Sequence, residues 1–255
     1  MADNNSSTVN KAIDIIEVFL QRDGEIALTD VARLTNCDIS TVYRLVSTLK
    51  KRKFLYQAHR NGKYTLGLKM IDFSLAVRRN LRFIDLAYLY LGKINTAFSA
   101  AVNLAILDVD KSLMVEEAAI SSKGASCSNL KPKRLSLYAT ACGKVLLAHM
   151  SEGDKKVFFE NNVLKAFTAK TITNINSLEN ELARVRKTGV AYDFEEYKMG
   201  LVAIAVPVFN QHAELIAAAS ILLTEKNSDK ESIKQYTLAM KKCGEDLSRA
   251  ISELK

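Results

Sequence analysis

The spacing of apolar residues over the first fifty positions predicts three short helices. Apolar side chains recur at helical intervals from Val9 to Leu20. A second helical pattern covers Thr29 to Leu34. A third begins at Asp38 or Ser40, which are both good N-caps, and runs to about Lys53. Three helices with tight joins are typical of a helix-turn-helix core.

The third predicted helix has one apolar and one polar side. Its apolar stripe repeats at helical spacing and is expected to pack on the first two helices. The opposite side carries donors and positive charge and no carboxylate, as a helix in the DNA major groove requires. The residues predicted to contact DNA from this helix are Ser40, Thr41, Tyr43, Arg44, Ser47, Thr48 and Lys51. The alternative is an ordinary solvated helix face.

Two short β-prone runs follow the third helix and predict a hairpin. They are Phe54-Leu55-Tyr56 and Tyr64-Thr65-Leu66, and Asn61-Gly62 between them is a strong hairpin signal. A basic hairpin after a helix-turn-helix is a wing, which adds contacts to the DNA backbone or minor groove. We expect Arg60 and Lys63 to make the backbone contacts.

The hydrophobic period changes in the second half of the chain. Residues 68–79 predict a linker helix, and residues 84–98 are apolar on more than one side, as in a helix buried between layers or in a subunit contact. Strands are predicted at 101–107, 113–117, 135–138, 191–194, 201–209 and 215–223, with helices between them and an amphipathic helix after Asp229. This pattern predicts an α+β domain with an antiparallel sheet.

Charge and composition narrow the function classes. The 255 residues carry a net charge of +8, and the segment from Arg44 to Arg82 alone holds eleven Lys or Arg against one acid, Asp72. That local excess favours double-stranded DNA as a partner. The cysteines form no C-x-x-C pair and the histidines are scattered, so we expect no metal site, no catalytic residues and no cofactor. Without a long apolar run or an N-terminal signal, we expect a cytoplasmic protein with no membrane partner.

Two local features of the second half suggest ligand chemistry. Small residues in Thr140–Lys144 precede the predicted apolar helix Val145–Met150, so backbone N–H groups there could hold a carboxylate. A tight strand-to-helix join is the alternative, and the segment fails as a phosphate-binding P-loop. Asp193, Glu195 and Glu196 form an acidic cluster, in which strand alternation predicts Asp193 and Glu195 on one side and Glu196 on the other.

Sequence motifs in both halves of the chain resemble those of the IclR family of bacterial transcription regulators. The first half matches the family in Ser40–Leu45, Leu49 and Lys63–Gly67. The second half matches it in Leu137–Ala148, Thr171, Gly189, Asp193–Glu196, Gly200 and Ile204–Val208. The segments 137–148 and 171–173 look most similar to the branch that senses sugar-acid catabolites.

The resemblance implies a homodimer or a dimer of dimers whose winged helices read operator DNA. It also implies a GAF-like C-terminal domain that binds a small, carboxylate-bearing effector. The family's pocket positions correspond here to Ala141, Cys142, Asp193, Ala203, Ser220 and Leu222. The expected division is a flexible tail (1–8), a winged helix-turn-helix (9–67), the linker helix (68–79) and the effector domain (80–255).

The sequence departs from the family pattern at four positions. Ala203 and Leu222 stand where members that bind small oxoacids have a thiol and a hydroxyl, which implies a larger or more apolar ligand or a weaker pocket. Lys53 replaces the usual Gly at the end of the recognition helix, and Ser136 replaces a common Pro. These last two departures concern local geometry.

We therefore expect a ligand-responsive, sequence-specific regulator, and more specifically a repressor, with no catalytic step. The first alternative is an enzyme acting on a small acid with an accessory basic domain. The sequence shows no nucleophile–base set and no metal-ligand spacing that would support this enzyme. The second alternative, a DNA-binding structural protein, leaves the large C-terminal domain without a role.

Overall fold

The computed structural model describes residues 6–22, 24–59, 62–107, 113–118, 120–121, 124–125, 133–224 and 228–254. The chain divides into two compact units, Met1–Leu81 and Arg82–Lys255. This division lies two residues after the predicted end of the linker helix. Because the two units are separate bodies, each is described by itself.

The first unit is built on three helices: α1 (Ser7–Gln21), α2 (Leu28–Leu34) and α3 (Ile39–Lys51). α1 begins at Ser7, inside the range predicted as a tail. Of the two candidate N-caps for α3, Asp38 is the cap, since its carboxylate accepts a hydrogen bond from the N–H of Thr41 (2.9 Å). The apolar stripe of α3 packs as predicted into a core with residues of α1, α2 and the hairpin: Ile15, Phe19, Val31, Val42, Leu45, Val46 and Leu55.

A two-stranded antiparallel hairpin and a fourth helix complete this unit. The strands are β1 (Leu55–Tyr56) and β2 (Thr65–Leu66), and Leu55 pairs with Leu66. α4 (Lys69–Asn80) follows, where the linker helix was predicted. Lys53, between α3 and β1, has a left-handed φ of 64°. That backbone conformation favours glycine, which accounts for the family's usual residue at this position.

The second unit is an α+β fold around a six-stranded antiparallel sheet with the order β7-β4-β3-β10-β9-β8. Its helices are α5 (Phe83–Phe98), α6 (Ala141–His149), α7 (Glu152–Asn161), α8 (Ile175–Thr188) and α9 (Lys230–Ser252). Its strands are β3 (Ala101–Leu107), β4 (Leu113–Ala118), β5 (Ile120–Ser121), β6 (Gly124–Ala125), β7 (Lys133–Leu135), β8 (Ala191–Phe194), β9 (Leu201–Phe209) and β10 (Leu215–Thr224).

Two predicted boundaries in this unit are wrong. The strand predicted at 135–138 ends at Leu135, because residues 137–139 turn into α6. α6 begins at Ala141 and not at Val145, since Thr140 caps it by accepting a hydrogen bond from the N–H of Gly143 (3.1 Å).

Helices cover both faces of the sheet. α5 and α9 pack on one face, where Gly244 of α9 approaches Val206 of β9 so closely that an added Cβ would lie 2.9 Å from its methyl group. α6 packs on the other face, with α8 against it. The strand residues beneath α6 are small, so this helix is buried on nearly all sides; they include Ala191, Ala203, Ala205 and Ala218.

α5 fits the prediction for residues 84–98 in part. Ile84, Ala87 and Leu91 are buried, whereas Leu89 is 65% exposed. Burial between layers is therefore seen for one side of the helix, and a subunit contact through the other side stays a prediction. Within the described ranges, no helix is long and apolar enough to cross a membrane.

Candidate functional site

The polar side of α3 is exposed, as the sequence predicts. Ser40, Tyr43, Arg44, Ser47, Thr48 and Lys51 are exposed, and Thr41 is half-buried. Two of the hydroxyls are already engaged: Ser40 donates to the Asp38 carboxylate (2.5 Å) and Thr48 donates to the carbonyl of Arg44 (3.0 Å). Among the described residues, no carboxylate pairs with Arg44 or Lys51. These two side chains are therefore the ones best able to meet a polyanion.

A hydrogen-bonded relay ties the hairpin to α3. Lys50 donates through Nζ to Oε1 of Gln57 (2.7 Å), and Nε2 of Gln57 donates to the carbonyl of Gly62 (2.8 Å). Sequence reasoning missed both Lys50 and Gln57, although a long polar side chain just after β1 is the kind of signal that could have indicated them. The relay connects the wing to the recognition helix through side-chain hydrogen bonds.

A groove lies between α3 and the wing. Its lining contains Ala27, Leu28, Thr29, Tyr43, Ser47, Lys50, Lys51, Gln57, Gly62, Lys63 and Tyr64. Three of these described lining residues are lysines and none is acidic, which suits the phosphate backbone of DNA. Lys63 is thus on this groove, as predicted for the wing, while the predicted contact Arg60 lies outside the described residues.

In the second unit, all six residues predicted for the effector pocket line one cavity of about 660 Å³. They are Ala141, Cys142, Asp193, Ala203, Ser220 and Leu222. Antiparallel pairing explains how distant positions meet, since Asp193 pairs with Ala203 and Ala203 pairs with Leu222 across three neighbouring strands. Alternation then places these side chains and Ser220 on the sheet face that α6 covers.

Further residues line this cavity that sequence reasoning missed. They are Asn103, Leu135, Tyr197, Lys198, Met199, Gly200 and Leu201, whereas Thr140, which also lines the cavity, belongs to the segment 140–144 that the sequence indicated. One signal was available in the sequence, because Asn103 is an isolated polar residue inside the apolar run of β3. Asn103 is buried, and its side-chain oxygen accepts no hydrogen bond from the described residues.

The N-terminus of α6 forms one wall of the cavity. A Cβ at Gly143 would lie 2.5 Å from the carbonyl oxygen of Ser136, so only glycine fits this close join. Ser136 itself accepts a hydrogen bond from the N–H of Ala139 (3.2 Å), a role that the family's usual proline could not fill. Burial raises the pKa of the Cys142 thiol to about 12, and a hydrogen bond with Ser220 opposes the rise only in part.

Asp193 is fixed by backbone donors beneath the cavity. Its Oδ1 accepts hydrogen bonds from the N–H groups of Glu196 (2.7 Å) and Tyr197 (3.3 Å). Burial raises the pKa of Asp193 to about 6, against the lowering effect of those two hydrogen bonds. The side chain can therefore exchange a proton close to neutral pH, and it can accept hydrogen bonds from a ligand when ionised.

The predicted distribution of the three acids is wrong. β8 ends at Phe194, and Glu195 has a left-handed φ of 62°, so the alternation of a strand does not continue through the cluster. As a result Asp193 and Glu196 are both buried, while Glu195 pairs with the exposed Lys170.

Glu196 is neutralised by a buried lysine of α6. Lys144 is 1% exposed, pairs with Glu196 and donates to the carbonyl of Tyr192 (2.9 Å). Burial raises the pKa of Glu196, and the nearby Lys144 opposes that rise. The hydroxyl of Thr171 donates to the carbonyl of Glu196 (2.6 Å) and so holds the same turn. Lys144, Thr171 and Glu196 all belong to the segments that resemble the family. Together they hold the turn that leads into the cavity wall formed by residues 197–200.

Comparison with known proteins settles the family. The sequence model "Bacterial transcriptional regulator IclR C-terminal" matches residues 76–249, and "IclR helix-turn-helix domain" matches residues 8–59. This chain belongs to the IclR family of bacterial transcriptional regulators. Members of the IclR family are regulators and not enzymes, so the small-acid enzyme considered above is excluded as the chain's class.

Individual IclR proteins match over most of their length. HTH-type transcriptional regulator KdgR of Escherichia coli K12 is 31% identical over 235 residues, or 90% of this chain and 87% of the relative. Transcriptional repressor IclR of the same strain is 28% identical over 222 residues, or 84% and 78%. The crystal structure of the Thermotoga maritima IclR superposes with a TM-score of 0.77 at 26% identity, covering 96% and 98% of the two chains.

Within the described ranges, no group of His, Cys, Asp and Glu side chains could hold a metal ion. The polar groups in the lining of the IclR-type cavity are amide, hydroxyl, thiol, carboxyl and ammonium groups.

Proposed function

We propose that this IclR-family regulator is a repressor whose affinity for operator DNA changes when a small carboxylate-bearing metabolite binds in the second unit. The observation that carries this proposal is the single cavity that joins the six predicted effector positions from α6, β8, β9 and β10. The relative Transcriptional repressor IclR supports the direction of regulation. A cytoplasmic location follows from the role, since that is where bacterial operator DNA lies.

The division of labour follows the two units. Residues 9–67 bind DNA, residues 68–79 link the units, and residues 80–255 bind the effector in a GAF-like domain. Arg44 and its exposed neighbours on α3 read the major groove, and Lys63 with Arg60 contacts the backbone beside the wing.

Homodimer formation is supported by apolar side chains on the surface of the first unit. Ile71, Phe73, Leu75 and Val77 of α4 are each at least half exposed. Large apolar side chains exposed on a short helix are costly in water, and a second copy of the chain would cover those on one side of α4. Two such dimers could form the tetramer that the family resemblance implies.

A carboxylate suits the wall formed by α6. The N–H groups of Ala141 and Cys142 have no intrahelical acceptor, because the first intrahelical bond is donated by Lys144 to Thr140 (2.9 Å). Lys198 adds a positive charge to the lining of the cavity. The sequence most resembles the branch of the family that senses sugar-acid catabolites. The hydroxyls of a sugar acid would also find hydrogen-bonding partners in Asp193 and Ser220.

Selection of binding sites from a random DNA pool tests the DNA-binding part. The full chain should enrich a roughly palindromic sequence, because a dimer presents two recognition helices. Affinity for that site should fall steeply with salt, as expected for lysines that contact phosphates. Recovery of no preferred sequence would contradict the proposal.

A thermal-shift screen tests the effector part. The full chain is heated with sugar acids, oxoacids and aromatic acids, and an acid that binds the folded state raises the melting temperature. The variant Asp193→Asn should lose the shift and keep its affinity for the selected DNA. Normal stabilisation of this variant by the same acid would remove Asp193 from the site.

A further inference from the structure

The first turn of α3 carries a serine whose hydroxyl hydrogen is already in use. Ser40 is exposed, and its hydroxyl donates to Oδ1 of Asp38 (2.5 Å). The same carboxylate oxygen accepts the N–H of Thr41 (2.9 Å), which is the N-cap bond of the helix. A serine hydroxyl has a single hydrogen to donate and lone pairs that accept. With that hydrogen bonded to Asp38, Ser40 offers only lone pairs to a partner.

The bond between Ser40 and Asp38 is of the strong kind. A hydrogen bond to an ionised carboxylate is roughly twice as strong as one between neutral groups. The hydrogen bonds from Ser40 and Thr41 hold the pKa of Asp38 well below its ordinary value, so the carboxylate is ionised near neutral pH. A partner that needs a donor from Ser40 must first break this bond. A partner that supplies a donor leaves the bond intact.

Ser40 lies on the side of α3 that carries the exposed polar residues. Arg44, Ser47 and Lys51 follow it at successive intervals of four, three and four residues, which place all four side chains on one side of a helix. In helix-turn-helix proteins the N-terminal residues of the recognition helix contact the base edges. Ser40 belongs to that first turn, and it is therefore placed to meet a base.

The four bases differ in what they offer such a serine in the major groove. Guanine presents acceptors only, and thymine presents an acceptor and a methyl group, so neither supplies a hydrogen. Adenine has a donor beside the acceptor N7, and an acceptor there repels the lone pairs of Ser40 and the charge of Asp38. Cytosine presents its N4 amino group and no acceptor. Cytosine is the base that best suits a side chain that can only accept.

We infer that Ser40 reads a cytosine in each half-site of the operator, through a hydrogen bond from the N4 amino group of the base to its Oγ. Asp38 is a positioning residue that acts through Ser40, because it holds the hydroxyl hydrogen away from the base. The inference rests on the proposed function, in which α3 enters the major groove. It deepens that function by naming a specificity-determining residue and its base.

The same geometry limits where the cytosine lies. Arg44 is one helical turn beyond Ser40, and a turn of an α-helix rises about 5.4 Å. Successive base pairs are about 3.4 Å apart along the duplex. The cytosine should therefore lie within about two base pairs of the base that Arg44 contacts.

Binding to substituted duplexes tests the inference. Selection from a random DNA pool with the full chain supplies the site, and duplexes are then made with each of the four bases at every position of a half-site. Fluorescence anisotropy measures the affinity for each duplex. At one position the wild type should bind cytosine about tenfold more tightly than any other base, as expected for one good base contact.

The variant Ser40→Ala tests the serine. It removes Oγ and leaves the N-cap bond between Asp38 and Thr41, so the melting temperature should change little. It should bind all four bases at that position with similar affinity and keep the wild-type preferences elsewhere. Ser40→Thr keeps a hydroxyl and should keep the preference for cytosine. Ser47→Ala, on the same side of the helix, is the matched control and should leave this position unchanged.

The variant Asp38→Asn tests the positioning role. Asparagine is as good an N-cap as aspartate, so α3 keeps its cap. The bond from Ser40 becomes a weaker neutral one, and the hydroxyl is free to turn and donate to guanine or thymine. The preference for cytosine should fall, while affinity for every duplex should rise, because a negative charge near the phosphates is lost. An equal loss of affinity for all four bases would show that Asp38 is only a cap.

A cytosine analogue identifies the contacted group. The base 2-pyrimidinone lacks only the N4 amino group of cytosine. The wild type should bind the duplex with this analogue about tenfold more weakly than the cytosine duplex, whereas Ser40→Ala should bind the two duplexes alike. The weaker pairing of the analogue with guanine is common to both proteins, so it cancels in the comparison.

Three results would overturn the inference. Ser40→Ala changes no position, or it changes one at which the wild type prefers another base, or the wild type and Ser40→Ala lose equally with the analogue. The proposed function fails separately, in the selection itself: if no sequence is enriched, the cytosine contact falls with it. A selected site that depends on Arg44 but not on Ser40 would preserve that function and remove only the cytosine contact.

Discussion

The DNA-binding groove and the effector cavity use charge in opposite ways. The lysines of the groove are exposed, and its described lining holds no acid to neutralise them. Beside the cavity, Lys144 and Glu196 are both buried and pair with each other. The groove leaves its positive charge available to a partner. The buried pair instead uses its two charges to hold the turn that contains Glu196. Substitutions in the groove should therefore change DNA binding, whereas substitutions of the buried pair beside the cavity should change the stability of the fold.

The largest expected effect is on folding, from Lys144→Met. Removal of the lysine leaves Glu196 buried without its partner, which costs about 3–5 kcal/mol of the free energy of unfolding. Urea denaturation followed by circular dichroism measures the loss. Lys234→Met is the control, because Lys234 pairs with Glu231 (3.4 Å) on an exposed side of α9, and it should change stability only slightly. Equal losses in the two variants would contradict the distinction between the regions.

The double variant Lys144→Met with Glu196→Leu sharpens this test. Replacement of both members of a buried ion pair by apolar residues is often nearly neutral. Most of the stability lost in Lys144→Met should therefore return. A double variant as unstable as Lys144→Met alone would show that the pair does not account for the loss.

The next effect is a pH dependence that Asp193 contributes. Its pKa is about 6 in the folded chain, above the ordinary value, so its contribution to stability is complete below about pH 4 and is lost as the pH rises through 6. Asp193→Asn carries no charge there and keeps an acceptor for the N–H of Glu196. At pH 7.5 the variant should be more stable than the wild type by on the order of 2–3 kcal/mol.

Denaturation curves between pH 4 and pH 7.5 measure this difference. The advantage of Asp193→Asn should shrink toward zero as the pH falls to 4. A stability difference that stays constant over this range would mean that Asp193 does not titrate as the structure indicates.

A smaller effect, confined to binding, is expected for Arg44→Ala. Loss of one bidentate contact to a base should lower affinity for the selected DNA by about 1–3 kcal/mol. The melting temperature should stay the same, because Arg44 is exposed and pairs with no carboxylate of the described residues. Fluorescence anisotropy with labelled DNA measures the affinity. Unchanged affinity would remove Arg44 from the major groove.

The smallest effect is a gain in stability from Lys53→Gly. The left-handed φ of 64° strains any residue with a Cβ, and glycine should relieve about 1 kcal/mol of that strain. Arg52→Gly is the matched control, since Arg52 has a φ of −85° and gains nothing from the substitution. Thermal unfolding of both variants separates strain at position 53 from the loss of a positive charge. A lower melting temperature for Lys53→Gly would contradict this account.

The DNA-binding region could be predicted almost completely from the sequence. Its helices and hairpin depend on residues close together in the chain, so periodicity and turn signals are enough to place Arg44 on an exposed face. The relay through Gln57 could not be predicted, because it depends on how the hairpin folds back toward Lys50.

The effector cavity shows where sequence reasoning fails. Only the family resemblance assigned all six positions to one pocket, although the segment 140–144 and Asp193 had already suggested ligand chemistry. Periodicity could not bring them together, because Asp193 and Leu222 meet only through strand register. Alternation gave the wrong side for Glu196, because a single left-handed residue, Glu195, ends the strand pattern. That the side-chain oxygen of Asn103 accepts no hydrogen bond from the described residues depends on the pairing of β3 with its neighbours, which the sequence does not reveal.

The central claim is that a ligand in the cavity changes DNA binding by the other unit. Its most direct test measures affinity for the selected DNA with and without a saturating acid identified in the thermal-shift screen, in the wild type and in Asp193→Asn. We expect a change of about fivefold or more in the wild type and none in the variant. An unchanged affinity in the wild type, with the acid bound, would contradict it.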